Sequence, residues 1–208
     1  MPESRCTETR SGRNCAKPFF ATLLLAAIAS VASNQRAAAQ QNSTTLKPAD
    51  TDVAPRGQRD VKDIAYGDWR KLCFKPGGSK MLCRTSITGR FATGQMAVRL
   101  DIIEREGDGT ARLQVFAPVG MYLQKQVKLT INQGKPYGVP YTWCLTNACI
   151  AGNVADPKMV QEMESGQTLQ LEFVDSNLLS LTTSLPLAQF ASVHKGAPAQ
   201  TLEQEIDE

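Results

Sequence analysis

Apolar and polar residues alternate along much of the middle of the chain. In the clearest run, residues 96–102, every second side chain is apolar. The turn sequence Glu-Gly-Asp-Gly at 106–109 follows, and a second alternating run contains Leu113 and Val115. A period of two turns one face of a strand toward a core, and two such runs joined by a glycine-containing turn predict a β-hairpin.

The same pattern recurs in short segments on both sides of this hairpin. Near the end of the chain, the turn sequence Asp-Ser-Asn at 175–177 separates two further alternating runs. Seven to nine short strands at this spacing, with turn residues between them, predict an all-β sandwich. The additional strands are predicted at residues 69–74, 82–87, 127–131, 137–144, 169–173 and 179–183.

One helix is predicted between residues 156 and 166, where it would close one end of the sandwich. Asp156 suits the N-cap, Pro157 suits the first helical position, and Gly166 stands where a helix ends. A second short turn fits residues 187–193. The apolar side chains on one face of the predicted helix are Met159, Val160 and Met163.

Residues 1–39 have the composition of a secretory signal peptide. Basic residues precede an apolar run at 19–32, and the three alanines at 37–39 supply the small side chains of a cleavage site. Cleavage after Ala32 is the alternative to cleavage after Ala39. The run of about 14 residues is shorter than the roughly 20 that span a membrane, which disfavours an uncleaved anchor. We therefore expect a periplasmic protein or one secreted to the outer surface, with no transmembrane segment in the mature chain.

Composition divides the rest of the chain into three parts. Residues 40–62 hold two prolines and no large apolar side chain except Leu46, so they predict a flexible spacer. The composition of residues 196–208 predicts a disordered tail, which is acidic toward its end. Between them, residues 63–195 form one domain that is long enough to bury a core of its own.

The charge balance of the mature chain is neutral. The whole sequence has 23 Lys and Arg and 20 Asp and Glu. Five of these basic residues and two of the acidic ones lie before residue 40, so 18 of each sign remain after cleavage. A net charge of zero provides no long-range attraction for nucleic acid or anionic lipid, and we expect no nucleic-acid partner.

Four cysteines remain in the mature chain as two closely spaced pairs, Cys73 with Cys83 and Cys144 with Cys149. In an oxidising compartment, an even set of cysteines predicts structural disulfides. Three pairings are open, and local pairing is favoured because each pair brackets turn residues. The chain has no C-x-x-C redox spacing, and neither pair has zinc-knuckle spacing, so we expect no metal and no cofactor.

The sequence offers few residues for catalysis. Its single histidine, His194, lies near the end of the domain, where we expect it to be exposed to solvent. Any Ser-His-Asp or Cys-His set would have to use this residue. Acidic residues cluster at 101–108 around the predicted hairpin turn, which is typical of a solvated loop. A carboxylate-based enzyme therefore stays an alternative to a protein without enzymatic activity.

Two groups of apolar side chains are candidates for contact with a partner. The connection bounded by Pro118 carries the candidate binding loop, formed by Val119, Met121, Tyr122 and Leu123. Burial of this loop as a cap on the sandwich is the alternative, and it is favoured because apolar clusters are more often buried than exposed. For four aromatic residues of the predicted strands, packing in the core is favoured over a ligand platform. They are Trp69, Tyr137, Tyr141 and Trp143.

Three groups of residues follow one another along the domain. They are Gly-Asp-Trp at 67–69 with Cys73 and Cys83, Ala-Pro-Val-Gly at 117–120, and Gly-Lys-Pro at 134–136 leading through Pro140 and Tyr141 to Cys144 and Cys149. Over residues 64–190 this series resembles the invasion-associated locus B family of bacterial proteins. Ala148 and the pair Lys125-Gln126 depart from the family pattern, and these departures bear on the conformation of two loops.

The resemblance implies a small secreted or periplasmic immunoglobulin-like β-sandwich, and it supplies no catalytic residues. We predict an exported, non-enzymatic, envelope-associated binding module with one short helix and two local disulfides. Its partner would be an unknown protein in the bacterial envelope or on a host cell. The alternatives are a periplasmic enzyme with carboxylate-based chemistry and a chaperone-like envelope protein that pairs a sheet edge with its client.

Overall fold

The computed structural model describes residues 53–77 and 79–204. The predicted signal peptide, residues 1–39, and the first part of the predicted spacer lie outside them. Thirteen strands and two helices follow one another in the described residues: β1 (Gly57–Asp60), β2 (Ala65–Tyr66), β3 (Arg70–Lys75), β4 (Leu82–Arg90), β5 (Met96–Arg105), β6 (Arg112–Ala117), β7 (Val127–Ile131), β8 (Tyr137–Val139), β9 (Tyr141–Cys144), β10 (Cys149–Val154), α1 (Pro157–Ser165), β11 (Thr168–Val174), β12 (Leu179–Pro186), α2 (Phe190–Lys195) and β13 (Gln200–Glu203).

The strands form two sheets. The smaller has the order β1-β12-β11-β7-β8, and the larger has the order β13-β3-β4-β5-β6-β10-β9, with β2 also paired to β4. Neighbouring strands are antiparallel except for β1 beside β12 and β13 beside β3, which are parallel. The prediction of an all-β sandwich is confirmed.

Both sheets turn alternate side chains into one hydrophobic core. In β5, the side chains of Val98, Leu100 and Ile102 are buried, as the alternation predicts. Leu171 and Phe173 of β11 in the smaller sheet belong to the same cluster. Because burying one such side chain contributes about 1.5–3 kcal/mol, this shared core is the main source of stability.

The predicted helix is confirmed as α1. The Asp156 carboxylate accepts a hydrogen bond from the Lys158 backbone N–H at 2.8 Å, and Pro157 occupies the first helical position. Met159 and Met163 are buried in the core cluster. No helix in the described part of the chain is long and apolar enough to cross a membrane.

Two strands lie in segments for which the composition predicts no order. β1 falls within the predicted spacer of residues 40–62, and β13 falls within the predicted disordered tail of residues 196–208. Each pairs with a sheet edge, where the backbone groups of β12 or β3 can bond to any extended segment. Every residue of both strands is exposed, and composition, which reflects the capacity to bury apolar surface, carries no signal of such pairing.

One predicted strand proves to be two. The predicted strand at 137–144 divides at Pro140 into β8, which belongs to the smaller sheet, and β9, which forms an edge of the larger one. Proline has no N–H to contribute to a continuous ladder, so a break at this residue is expected. The chain crosses from one sheet to the other at this point.

Both disulfides are local, as the sequence favours. Cys73 and Cys83 stand directly opposite each other on β3 and β4. Cys144 and Cys149 stand opposite each other on β9 and β10. Each bridge joins neighbouring strands of the larger sheet and closes a short hairpin.

Candidate functional site

The candidate binding loop connects β6 to β7 and is held against the turn between β11 and β12. The Tyr122 N–H donates to the Val174 carbonyl at 2.7 Å, and the Ser176 N–H donates to the Gly120 carbonyl at 2.8 Å. Gly120 has a φ of +88°, a left-handed conformation that residues with a side chain rarely adopt. The backbone of the loop is therefore held at defined points of the sandwich.

Two of the four side chains of this loop are exposed, and the other two are partly buried. Val119 and Leu123 are 51% and 45% exposed. Met121 and Tyr122 are partly buried, and Met121 packs against the core. One part of the loop therefore caps the sandwich, and another part presents an exposed apolar surface. The role of the loop in binding stays a prediction.

A pocket of about 130 Å³ opens between the two sheets beside this loop. Met121 forms part of its wall, together with Val98 of the larger sheet and Phe173 of the smaller one. An engineered apolar cavity of about 150 Å³ is known to bind benzene, so this pocket has room for one aromatic ring or branched aliphatic group. The polar residues that line it are Arg59, Asp63, Thr182 and Thr183.

The second disulfide brings another exposed apolar side chain to the same end of the larger sheet. Cys149 lies opposite Ala117, the last residue of β6, and also opposite Cys144. The candidate loop and the loop at 145–148 therefore leave the sheet at the same end. Leu145, in that second loop, is more than half exposed. We call the pocket and the exposed side chains of Val119, Leu123 and Leu145 the loop end.

The aromatic residues expected in the core do not all lie there. Trp69 is buried, and its indole N–H donates to the Pro186 carbonyl at 2.8 Å. Tyr137 and Tyr141 are partly buried and pack against the core, and burial raises the pKa of Tyr141. Trp143 is more than half exposed, so the core prediction is wrong for this residue.

A β-bulge explains the exposure of Trp143. Trp143 pairs with Ile150, whereas Tyr141 pairs with the next residue, Ala151, so Thr142 is the extra residue of β9. A bulge reverses the alternation of side chains, which turns Tyr141 toward the core and Trp143 away from it. Counting every second residue through 137–143 cannot detect this reversal.

His194 is buried, contrary to the expectation that it is exposed. Its side chain is 9% exposed, Nδ1 lies 3.0 Å from Glu164 Oε1, and Nε2 lies 3.2 Å from Glu104 Oε2. The ring stacks on Phe190 with centroids 5.0 Å apart. Among the described residues, no group of three or more His, Cys, Asp and Glu side chains is placed to bind a metal ion. The histidine therefore links α2 to α1 and β5 through two carboxylates.

Known proteins share this architecture. The family model of the invasion associated locus B (IalB) protein matches residues 69–198. The chain belongs to the IalB family. The match includes both disulfides, the candidate loop and both helices, whereas β1 and β13 lie outside it.

The crystal structure of invasion associated protein B from Bartonella henselae is similar to that of this IalB-family protein. The two chains are 22% identical with a TM-score of 0.55, and the match covers 62% of this chain and 90% of that chain. At this level of identity the likeness shows a shared fold. A comparison with curated proteins finds no match.

Proposed function

We propose that this IalB-family protein is an exported, non-enzymatic binding module that acts in the periplasm or on the outer surface of the cell. The basic residues, apolar run and alanine cleavage site within residues 1–39 support export. The two disulfides suit an oxidising compartment. Its partner is a protein of the bacterial envelope or of a host cell. The name of the Bartonella protein with the similar structure, an invasion associated protein, supports a partner outside the cytoplasm.

The observation that carries this proposal is the exposure of Val119, Leu123 and Leu145 at the end of the sandwich where an apolar pocket opens. Apolar patches with a polar rim mark interaction sites on soluble proteins. Protein interfaces often place one apolar or aromatic anchor in a pocket, and such anchors contribute most of the affinity. The loop end offers both features, since its pocket can receive one anchor and exposed apolar side chains lie at the same end of the sandwich.

The position of His194 supports a role without catalysis. In a catalytic triad, one ring nitrogen faces the nucleophile and the other faces the carboxylate that orients the ring. Here each nitrogen faces a carboxylate, that of Glu164 or that of Glu104. This arrangement suits a structural link between elements.

The double variant Val119→Ser with Leu123→Ser tests the loop end. The mature protein serves as bait in a capture experiment from periplasmic and outer-membrane extracts, and each captured protein is quantified by mass spectrometry. We expect the variant to retain no more than about a tenth of the specific partner. Its stability should change by less than about 1 kcal/mol because both side chains are exposed.

The matched control is Leu202→Ser, since Leu202 is equally exposed but lies on β13 at the far edge of the larger sheet. This variant should capture the partner as the wild type does. Equal capture by all three proteins would show that the loop end is not the contact surface. Turnover of a substrate by the wild type, with no captured partner, would contradict the binding function itself.

A further inference from the structure

The larger sheet has a second face that points away from the smaller sheet. Val98, Leu100 and Ile102 of β5 point into the core, so the residue that follows each of them points outward. Residues that stand opposite each other on neighbouring strands point to the same side of a sheet. Where the register is regular, it therefore identifies the side chains on this outer face.

Four neighbouring strands each contribute an arginine to one cluster on the outer face. They are Arg70 on β3, Arg84 on β4, Arg99 on β5 and Arg112 on β6. Arg84 and Arg112 both stand opposite Ile103, from its two sides. We call this set of four residues, with the side chains between them, the arginine face.

Asp101 lies in the middle of the arginine face. It stands opposite Ser86 of β4 and Gln114 of β6, one position along the face from Arg84 and Arg112. It is the one carboxylate that the register of the described residues places on the outer face of these four strands. Four guanidinium groups and one carboxylate leave an excess of three positive charges.

The central arginine is held in a fixed position. One terminal nitrogen of Arg99 lies 3.1 Å from the Asp101 carboxylate, and its guanidinium lies 3.8 Å above the centre of the Phe116 ring. Stacking and ion pairing together restrict the rotamers of the side chain, which lowers the entropy cost of binding an anion. Arg70 and Arg112 are exposed and available for contact.

Exposed apolar side chains border the arginines on the same face. Val154 of β10 stands opposite Arg112 and is exposed. Trp143 stands opposite Ile150, which in turn stands opposite Phe116, so the exposed indole lies at the β9 edge of this face. Arginine and tryptophan are enriched among the residues that dominate protein–protein binding energy.

The charge of this face is not matched by the chain as a whole. The mature sequence is expected to carry equal numbers of basic and acidic residues, so this local excess is a concentration of charge on one surface. The guanidinium groups favour carboxylates, with which they form paired hydrogen bonds, and the indole and the valine favour apolar side chains. A protein surface with carboxylates between apolar side chains matches both.

We propose that the arginine face binds an acidic protein partner, whose carboxylates pair with Arg70, Arg84, Arg99 and Arg112 while its apolar side chains contact Trp143 and Val154. This surface shares no residue with the loop end. The inference goes beyond the proposed function, since it identifies a second contact surface and the chemistry of what binds there.

A labelled synthetic peptide provides the probe. Its sequence is four repeats of Glu-Glu-Phe-Asp, and its binding to the full mature protein is followed by fluorescence anisotropy. One comparison peptide carries Lys at every acidic position, and another carries Ala in place of Phe. We expect the acidic aromatic peptide to bind most tightly, the alanine peptide at least fivefold more weakly, and the lysine peptide not at all.

The double variant Arg70→Gln with Arg112→Gln tests the site, because both side chains are exposed and neither pairs with the buried Asp101. It should weaken binding of the acidic aromatic peptide at least tenfold. The matched control, Arg56→Gln with Lys158→Gln, removes two exposed charges elsewhere and should change binding less than twofold. Both double variants should keep the wild-type melting temperature within a few degrees.

Three results would overturn the inference. The first is no binding of the acidic aromatic peptide to the wild type, and the second is equal weakening by the two double variants. The third is tighter, equally variant-sensitive binding of heparin or of vesicles with 30% anionic lipid, which would assign the face to an anionic polymer or a membrane. The Val119→Ser and Leu123→Ser variant should bind the peptide normally, so failure here and failure of the loop end are distinguishable.

Discussion

At the scale of single residues, Asp101 is an ionisable group that is 1% exposed although it lies on the outer face of a sheet. Burial raises the pKa of the Asp101 carboxyl, and the positive charges of Arg99 and Arg84 oppose that rise without cancelling it. A carboxyl with a raised pKa in the folded state favours folding most at low pH. Its contribution to stability declines as the pH rises from the ordinary pKa of the carboxyl through the raised pKa.

The variant Arg99→Gln should reveal this dependence. At pH 7 it leaves the buried carboxylate with fewer compensating charges, and we expect a loss of about 2 kcal/mol in the free energy of unfolding. This is less than the 3–5 kcal/mol typical of a fully buried pair, because Arg99 is partly exposed. As the pH falls toward 4, protonation of Asp101 should reduce the loss. Urea unfolding of the variant and the wild type at several pH values measures this loss in the free energy of unfolding.

The control for this variant is Arg112→Gln, which removes an exposed arginine of the same face and should change stability by less than about 0.5 kcal/mol. A loss for Arg99→Gln that stays constant with pH would contradict the assignment of the effect to Asp101.

At the scale of elements, the two helices are joined to each other and to the larger sheet by polar contacts. His194 of α2 contacts Glu164 of α1 and Glu104 of β5, and Lys195 lies 2.6 Å from Glu164. Lys71 of β3 donates to the carbonyls of His194 and Gly196 at the end of α2. Cations near the last turn of a helix also complement its dipole.

The variant Glu164→Gln tests this link. Burial alone raises the pKa of Glu164, but hydrogen bonds from Lys195 and His194 outweigh it and leave the pKa below its ordinary value. A lowered pKa contributes stability that is present above the ordinary value and lost as the pH falls through the folded value. Thermal melting should therefore show the variant less stable than the wild type at pH 7, with the difference disappearing under acidic conditions.

Glu172→Gln is the control, because Glu172 pairs with the half-exposed Lys128 on the smaller sheet and contributes little. Identical pH profiles for the two variants would show that the contacts of Glu164 do not stabilise the helices.

At the scale of the whole molecule, β1 and β13 cover one edge of each sheet. β1 adds backbone contacts to β12, and its Asp60 carboxylate accepts a hydrogen bond from the Thr182 hydroxyl. β13 pairs with β3 in the same way. An open strand edge favours pairing with other chains, so these short strands protect the protein from association as well as adding hydrogen bonds.

A chain that begins at residue 63 should be less stable than one that begins at residue 40. Loss of β1 removes several backbone hydrogen bonds, but no buried apolar side chain of this strand is lost, so we expect about 1–2 kcal/mol. Thermal melting measures the difference, and size-exclusion chromatography should show more association of the shorter chain. A chain that begins at residue 53 retains β1 and should match the longer form. If all three melt together, β1 adds no stability.

The sequence by itself determined the features that depend on local geometry. Side-chain alternation follows from the pleat of a strand, and Asp156 with Pro157 begins α1 through contacts within one turn. The disulfide partners are close along the chain and bracket turn residues, so the sequence favours local pairing, and the structure decides among the three possible pairings. Motif spacing also indicated the family, because it reflects the order of strands and turns along the chain.

Only the tertiary structure decided which distant groups meet. β1 and β13 are ordered by backbone groups left unpaired at sheet edges, a property of the assembled sheets that composition does not record. The bulge at Thr142 turns Trp143 outward, and the packing of α2 buries His194 between two carboxylates. The four arginines are spread over more than 40 positions of the sequence, and the order of strands in the sheet places them side by side. Hydrogen bonds between strands can join residues that are far apart along the chain.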